Sequence, residues 1–394
     1  MTQLGSPPTT DVPAFDDLLQ GEGVLRDPHP VYARWREAGP VIWLTRHEMY
    51  AITRYAELST ALTNSKVFIS GRGAAMNDFA CKLVTTLNID PPEHDRIRKV
   101  VGRPLLPKAV DKLQPDLRTV AEKTVLQLLG RDSFDGVTEL AHRLPLDIVS
   151  EQVGLPAEGR EQMLAWGPAG FDALGMLDDE RTVRGFERVS AAGDYMDSVV
   201  DQLKPGSWGH QLIEAGARGE LPPEDCLAYI QDYIYPSLDT TIHATSAALK
   251  LFAENPDQWD LLRSDRSLLP NAISEVVRLA TPIQWFTRCL SQDYELGGVL
   301  LPEGARVIML YGCANRDERQ FPEPDRFDIT RKATEQLGFG RGKHACMGMP
   351  LARLELHVLF DVMADHVERI SVGAERPVAN NVLVGLESLQ VSFR

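Results

Sequence analysis

Phe339-Gly340-Arg341-Gly342-Lys343-His344-Ala345-Cys346-Met347-Gly348 puts one cysteine on a tight glycine loop that opens into a helix. Glycine lets the backbone turn closely against a flat ligand where a Cβ would clash. Strong helix formers follow in Leu351-Ala352-Arg353-Leu354-Glu355, so Cys346 is expected at a helix N-terminus. There the macrodipole and the free N–H groups favour the thiolate, the metal-ligating form, over the thiol. A lone cysteine is ordinarily a small buried hydrophobe. A phenylalanine, three glycines, a histidine and a cysteine in one register argue for a ligand instead.

This decapeptide resembles the haem-binding signature of the cytochrome P450 family. The resemblance implies a mainly α chain with small β-sheets, folded as a triangular prism with haem b between two central helices. Cys346 would be the axial ligand, with Phe339, Gly340 and Gly348 bedding the cofactor. A thiolate on haem iron favours O–O cleavage, so the implied activity is a monooxygenase.

The rest of the chain bounds that reading. Within 394 residues there is no Gly/Ser linker, charge block or internal repeat, so one domain is expected over 21–394 after a polar tail over 1–20. Hydrophobic content of 43% suffices for a core able to enclose a cofactor, and a net charge of −15 argues against nucleic acid. The start, Met1-Thr2-Gln3-Leu4-Gly5-Ser6-Pro7-Pro8, has no basic or apolar leader, and no run approaches the ~20 apolar residues of a membrane span. A cytoplasmic monomer free of membrane is therefore expected. Five cysteines without C-x-x-C pairing disfavour a disulfide framework or a zinc ribbon.

Along the chain, 31–38 reads as helix and 41–44 with 49–53 as a hairpin. From there to about residue 280 the pattern is helical with Pro and Gly punctuation. Strand-like pieces return at 306–310 and 382–391.

Glu275 and Arg278, three apart on an apolar helix, read as a buried pair that needs a further partner. By resemblance Arg326 in Pro324-Asp325-Arg326-Phe327 supplies it, completing a structural Glu-Arg-Arg network. His94 and Arg98, four apart, together with Arg288 and His344, are the expected ligands of the haem propionates. Arg suits a carboxylate through two parallel N–H bonds.

Tyr235-Pro236-Ser237-Leu238-Asp239-Thr240-Thr241 resembles the family's oxygen-activating helix, which makes Asp239 and Thr240 the expected catalytic acid and alcohol. Pro236-Ser237 departs from the usual small residues there. Proline removes the bond to the Asp232 carbonyl, and a kink is expected, with the Thr240 hydroxyl reaching back to the Pro236 carbonyl. Arg96, Lys99, Arg103, Lys108 and Lys112, with Arg341 and Lys343, read as a basic docking patch for an acidic ferredoxin or flavodoxin-like electron donor.

Finer likeness lies in Asn380-Asn381-Val382-Leu383-Val384-Gly385-Leu386-Glu387-Ser388-Leu389, Asp328-Ile329-Thr330-Arg331-Lys332 and Asn77-Asp78-Phe79. These are similar to the bacterial subfamily that O-demethylates para-methoxybenzoates. By position Phe171, Leu174 and Phe286 would form an aromatic pocket wall for a small aromatic substrate. That subfamily's carboxylate anchor, an Arg then a Ser, is here Gln231 and Asp232, and an aspartate repels a benzoate. The expected substrate is thus a neutral or phenolic methoxyarene, with Asp232 or Gln231 accepting a hydroxyl proton and Lys82, Thr85 or Thr86 adding contacts. Hydroxylation of a terpenoid or other secondary metabolite is the alternative. A peroxygenase is disfavoured by Asp239 and Thr240, and a non-catalytic interaction module by Cys346.

Overall fold

The computed structural model describes residues 12–157 and 160–394. The helices that build the site are, in chain order, α1 (His29–Ala38), α2 (Glu93–Val101), α3 (Met163–Asp172), α4 (Glu180–Val199), α5 (Cys226–Glu254), α6 (Leu269–Ala280) and α7 (Met349–His366). The longest, α5, buries Tyr229, Tyr233, Leu238, Ile242 and Phe252 on several faces. A helix so apolar all round is stable only inside the molecule. It stops at Asn255 because Pro256 follows, and a residue before proline is pushed out of the α region. Helix α7 begins with proline near its first position, where the missing N–H costs nothing. Phe252 of α5 meets Phe360 of α7 at 5.6 Å between ring centroids, with Trp259 and Phe327 packed on the same ring.

The strands are β1 (Ala14–Phe15), β2 (Val41–Leu44), β3 (Met49–Ile52), β4 (Phe68–Ile69), β5 (Phe134–Asp135), β6 (Trp285–Leu290), β7 (Tyr294–Leu296), β8 (Val299–Leu301), β9 (Arg306–Leu310), β10 (Ile370–Pro377) and β11 (Leu386–Phe393). They form a six-stranded sheet ordered β1-β2-β3-β9-β6-β4, a three-stranded sheet β10-β11-β5 and the hairpin β7-β8. The helix over 31–38 and the hairpin 41–44 with 49–52 are where the sequence puts them.

Three expectations change. The tail over 1–20 is too long: residues 1–11 lie outside the described residues, but Ala14–Phe15 pairs in parallel with β2, and Val12 and Leu19 are buried. The Leu19 amide is fixed by a 3.0 Å bond to the His47 ring. Second, β6 goes unforeseen, because Trp285-Phe286-Thr287-Arg288-Cys289-Leu290 mixes Arg288, which lines the cavity, and Thr287, which bonds the Gly73 and Ala75 carbonyls, into a strand buried on both faces. Third, the late strand starts at Leu386 rather than 382: the Asn380 side chain accepts from the amides of Val382 and Leu383, diverting them from a ladder.

Candidate active site

Cys346 lies three residues before α7, and the amides of Gly348 and Met349 point at its sulfur. The loop holds itself: the Cys346 amide donates to the Phe339 carbonyl at 2.8 Å and the Gly340 amide to the Leu337 carbonyl at 2.8 Å. Gly342 has a positive φ of 73°, and a Cβ there would strike the Leu62 carbonyl. Burial raises the Cys346 thiol, while the two amides and the Arg98 guanidinium pull it back toward the thiolate. Cys346 lines a cavity of about 540 Å³, whose wall also carries Phe339, Gly340 and Gly348.

Behind this loop a buried network sets its position. Glu275 accepts two bonds of 2.7 Å from Arg278, and neither side chain is solvent-exposed. Arg278 also donates to the Asn315 carbonyl at 2.9 Å, while the Asn315 side chain accepts from the Leu337 amide at 2.7 Å. Leu337 opens the cysteine loop, so the network reaches the ligand through one side chain. The third member is Arg331, 3.0 Å from Glu275, which corrects the expectation of Arg326. Arg326 points outward to Glu323 and contributes only its carbonyl, because the neighbouring Phe327 and Ile329 take the inward positions.

At the cavity edge stand Arg98, Arg288 and His344. Arg98 donates to the Ala345 carbonyl, and Arg288 donates to the Thr287 carbonyl at 2.7 Å, leaving other N–H groups of each free. Burial lowers the pKa of both. His94 does not reach the cavity wall; its ring packs on His344 at 4.2 Å between centroids. The Nε2 atoms of His94 and His344 are buried without a protein partner. Two arginines and two unpartnered imidazole nitrogens fit an acidic cofactor edge, and the cysteine loop fits its iron. The residues present therefore fit a haem.

On the opposite wall, α5 continues as helix through Pro236. The Thr240 hydroxyl donates to the Pro236 carbonyl at 2.7 Å, as expected. Thr240 lines the cavity and Asp239 does not. One residue earlier on a helix is a turn of about 100°, and the Asp239 carboxyl faces α3, where a Cβ on Gly167 would collide with it. Its Oδ2 is buried without a partner, and burial, then the nearby Asp172, holds its pKa well above the ordinary value. Asp172 itself is pushed up to about 7, chiefly by burial. His243, one turn beyond Asp239, is buried with both ring nitrogens unpartnered and its pKa lowered to about 4 by burial.

Phe171, Leu174, Phe286, Gln231 and Asp232 all line the cavity. Asp232, however, is engaged: Oδ1 accepts from the Thr85 hydroxyl at 2.6 Å, and Oδ2 from the Thr86 amide and hydroxyl at 2.8 Å each. That corrects the expectation of a group free to accept from substrate, and it occupies the hydroxyl donors of Thr85 and Thr86, which line the cavity beside it. Lys82 is exposed and away from the wall. Sequence reasoning missed Glu355 on α7, a buried carboxyl with both oxygens unpartnered, raised to about 8 by burial and only partly offset by Thr241. A glutamate on the apolar stripe Leu351, Val358, Leu359 was the available signal.

The basic patch is partly spent. Arg96 pairs with Glu93, Arg103 with Glu220, Lys343 with Asp95 and Arg341 with Glu335. Lys99, Lys108 and Lys112 are exposed with no acidic partner within 4.0 Å among the described residues. Among those residues, too, no helix is long and apolar enough to cross a membrane.

The family model described as Cytochrome P450 matches residues 210–366. Over most of its length the chain is similar to the protein named Cytochrome p450 CYP199A2 from Rhodopseudomonas palustris, at 36% identity covering 93% of this chain and 91% of that protein. It is 32% identical to a Steroid C26-monooxygenase from Rhodococcus jostii, covering 94% of this chain and 82% of the relative. Among solved structures, cytochrome P450 CYP109Q5 from Chondromyces apiculatus matches with a TM-score of 0.82 at 27% identity, covering 96% of this chain and 98% of that one.

Proposed function

This chain belongs to the cytochrome P450 family, monooxygenases that carry haem b on a cysteine thiolate, and from that premise we propose that it O-demethylates a small, uncharged methoxyarene. One atom of O2 enters a C–H bond of the methyl group and the other leaves as water, with two electrons and two protons supplied from outside. The resulting hemiacetal breaks its C–O bond to give a phenol and formaldehyde. Haem supplies the redox centre at which dioxygen is activated.

The observation that carries the substrate reading is the charge pattern of the cavity wall. Among the described residues its arginines and lysines are limited to Arg98 and Arg288, both at the cofactor edge, and its carboxyl side chains are Asp232 and Glu355. No cation is left on the substrate side to hold a carboxylate. Phe171, Phe286 and Leu174 offer flat apolar surface suited to a ring. About 540 Å³ must hold the cofactor as well as the substrate, which favours a small substrate over the bulky class named by the steroid relative.

Each residue has a part in this reading. Cys346 ligates the iron; Arg98, Arg288, His344 and, through His344, His94 hold the cofactor's acidic edge. Thr240 presents a hydroxyl at the wall, and behind it stands the Asp239 carboxyl, whose pKa burial and then the nearby Asp172 raise well above the ordinary value. A ferredoxin or flavodoxin-like protein delivers electrons, and Lys99, Lys108 and Lys112 are the cations free to receive its acidic surface.

The test is formaldehyde release from para-methoxyphenol and related uncharged arenes by the haem-loaded protein with ferredoxin, reductase and reduced nicotinamide. One formaldehyde per phenol formed is expected. Oxidation of steroids with no turnover of any methoxyarene contradicts the substrate reading. An equal rate with peroxide alone supports the peroxygenase instead.

A further inference from the structure

Three hydrogen-bond donors converge on one carboxylate in the cavity roof, and that carboxylate belongs to the protein. The turn that begins at Thr85 wraps around Asp232: the Thr85 hydroxyl, the Thr86 amide and the Thr86 hydroxyl donate at 2.6, 2.8 and 2.8 Å. The Thr85 oxygen is itself held by the Leu87 amide at 3.2 Å, which fixes its direction. Thr86 is buried, and Thr85, Thr86 and Asp232 all face the cavity. Burial raises the Asp232 carboxyl, and the three donors, with no cation among them, pull it back toward the carboxylate. Two hydroxyls and an amide, of which the amide and the Thr85 hydroxyl are held in direction, form an anion cage of the kind that recognises a carboxylate by its oxygens.

We propose that Asp232 is a specificity residue that fills this anion subsite from within, so that the subsite takes an aryl carboxylate only when the Asp232 side chain is removed. The inference rests on the reading of the cavity as a substrate chamber. Wild-type protein excludes carboxylate substrates twice over, because the donors are engaged and because a second negative charge would sit beside the first. Shortening the side chain leaves three buried donors unpaired, and a ligand carboxylate entering the cavity satisfies them.

Occupancy and simple charge repulsion are separable. Asp232→Asn removes the charge but keeps a group in the cage, whereas Asp232→Ala removes both. The experiment titrates haem-loaded wild type, Asp232→Asn, Asp232→Ala and Asp232→Ser with benzoate and with para-methoxybenzoate, following the haem spectrum and thermal midpoint. Benzoate has no methoxy group, so its binding reports on the cage whether or not methoxyarenes are the substrates. The expected result is a gain of roughly tenfold to a hundredfold in carboxylate affinity for Asp232→Ala, or for Asp232→Ser should the alanine variant not fold. Asp232→Asn gains little, and adding Thr85→Val and Thr86→Val to Asp232→Ala erases the gain. Equal gains for the asparagine and alanine variants, or no gain in any variant that retains haem, overturn the proposal. Failure of the substrate reading would show separately, as absent turnover of uncharged methoxyarenes in wild type.

Discussion

Below the cavity, the contacts made by Cys346 itself are close in sequence, a backbone bond to Phe339 seven residues away and the amides of Gly348 and Met349, with a distant side-chain network bracing the loop from behind. Above it, the roof is held by side chains that meet from far apart, as Thr85 and Thr86 reach Asp232 across 147 and 146 residues. The floor fixes what chemistry the molecule performs, and the roof fixes what it performs it on. A floor written in backbone geometry tolerates little change. A roof written in side-chain contacts can be rewritten by one substitution.

The largest effect tests the floor. Cys346→Ala removes the thiolate, and oxygenation should fall by more than the roughly hundredfold that loss of an outer partner costs a metal site. Reduced protein under carbon monoxide should also lose the spectrum of a thiolate-ligated haem. Retained thiolate-type absorption would mean that the ligand is elsewhere.

Next in size is the support beneath that loop. Glu275→Ala strands Arg278 as a buried unpaired charge and should cost about 3–5 kcal/mol by denaturant titration. Arg326→Ala, at a side chain 60% exposed, should stay within about 0.5 kcal/mol. Equal losses would restore Arg326 to the network in place of Arg331.

The smallest effect sharpens the roof side, behind α5. Asp172 has a folded pKa raised to about 7 by burial, above its unfolded value. An acid raised in this way binds its proton more tightly when folded. Its stabilising contribution is present below pH ~4 and fades as pH rises from about 4 through 7. Asp172→Asn, which can still accept from the Asn381 amide, should raise stability at pH 8 by about 2–3 kcal/mol and leave it unchanged near pH 4. A variant destabilised at pH 8 would show instead that the ionised carboxylate is needed there.

The same division explains what the sequence disclosed. The cysteine loop, the hairpin 41–52 and the Thr240 to Pro236 bond are local, so composition and spacing suffice to read them. Arg326 and Arg331 are five residues apart in one loop, and only the burial of Phe327 and Ile329 decides which arginine turns inward. Asp239 was legible as an acid beside an alcohol but not as a group facing α3, because a neighbouring helix supplies the glycine it packs on. The engagement of Asp232 needed tertiary contact altogether. Glu355 was legible only by its place on an apolar helix face, a signal that a run of good helix formers masks.

The most direct test of the account is a paired spectral titration of haem-loaded wild-type protein with para-methoxyphenol and para-methoxybenzoate, molecules that share a ring and methyl ether and differ in charge. A substrate-type spin-state shift is expected with the phenol and none with the benzoate. A shift with the benzoate at equal or lower concentration would contradict it.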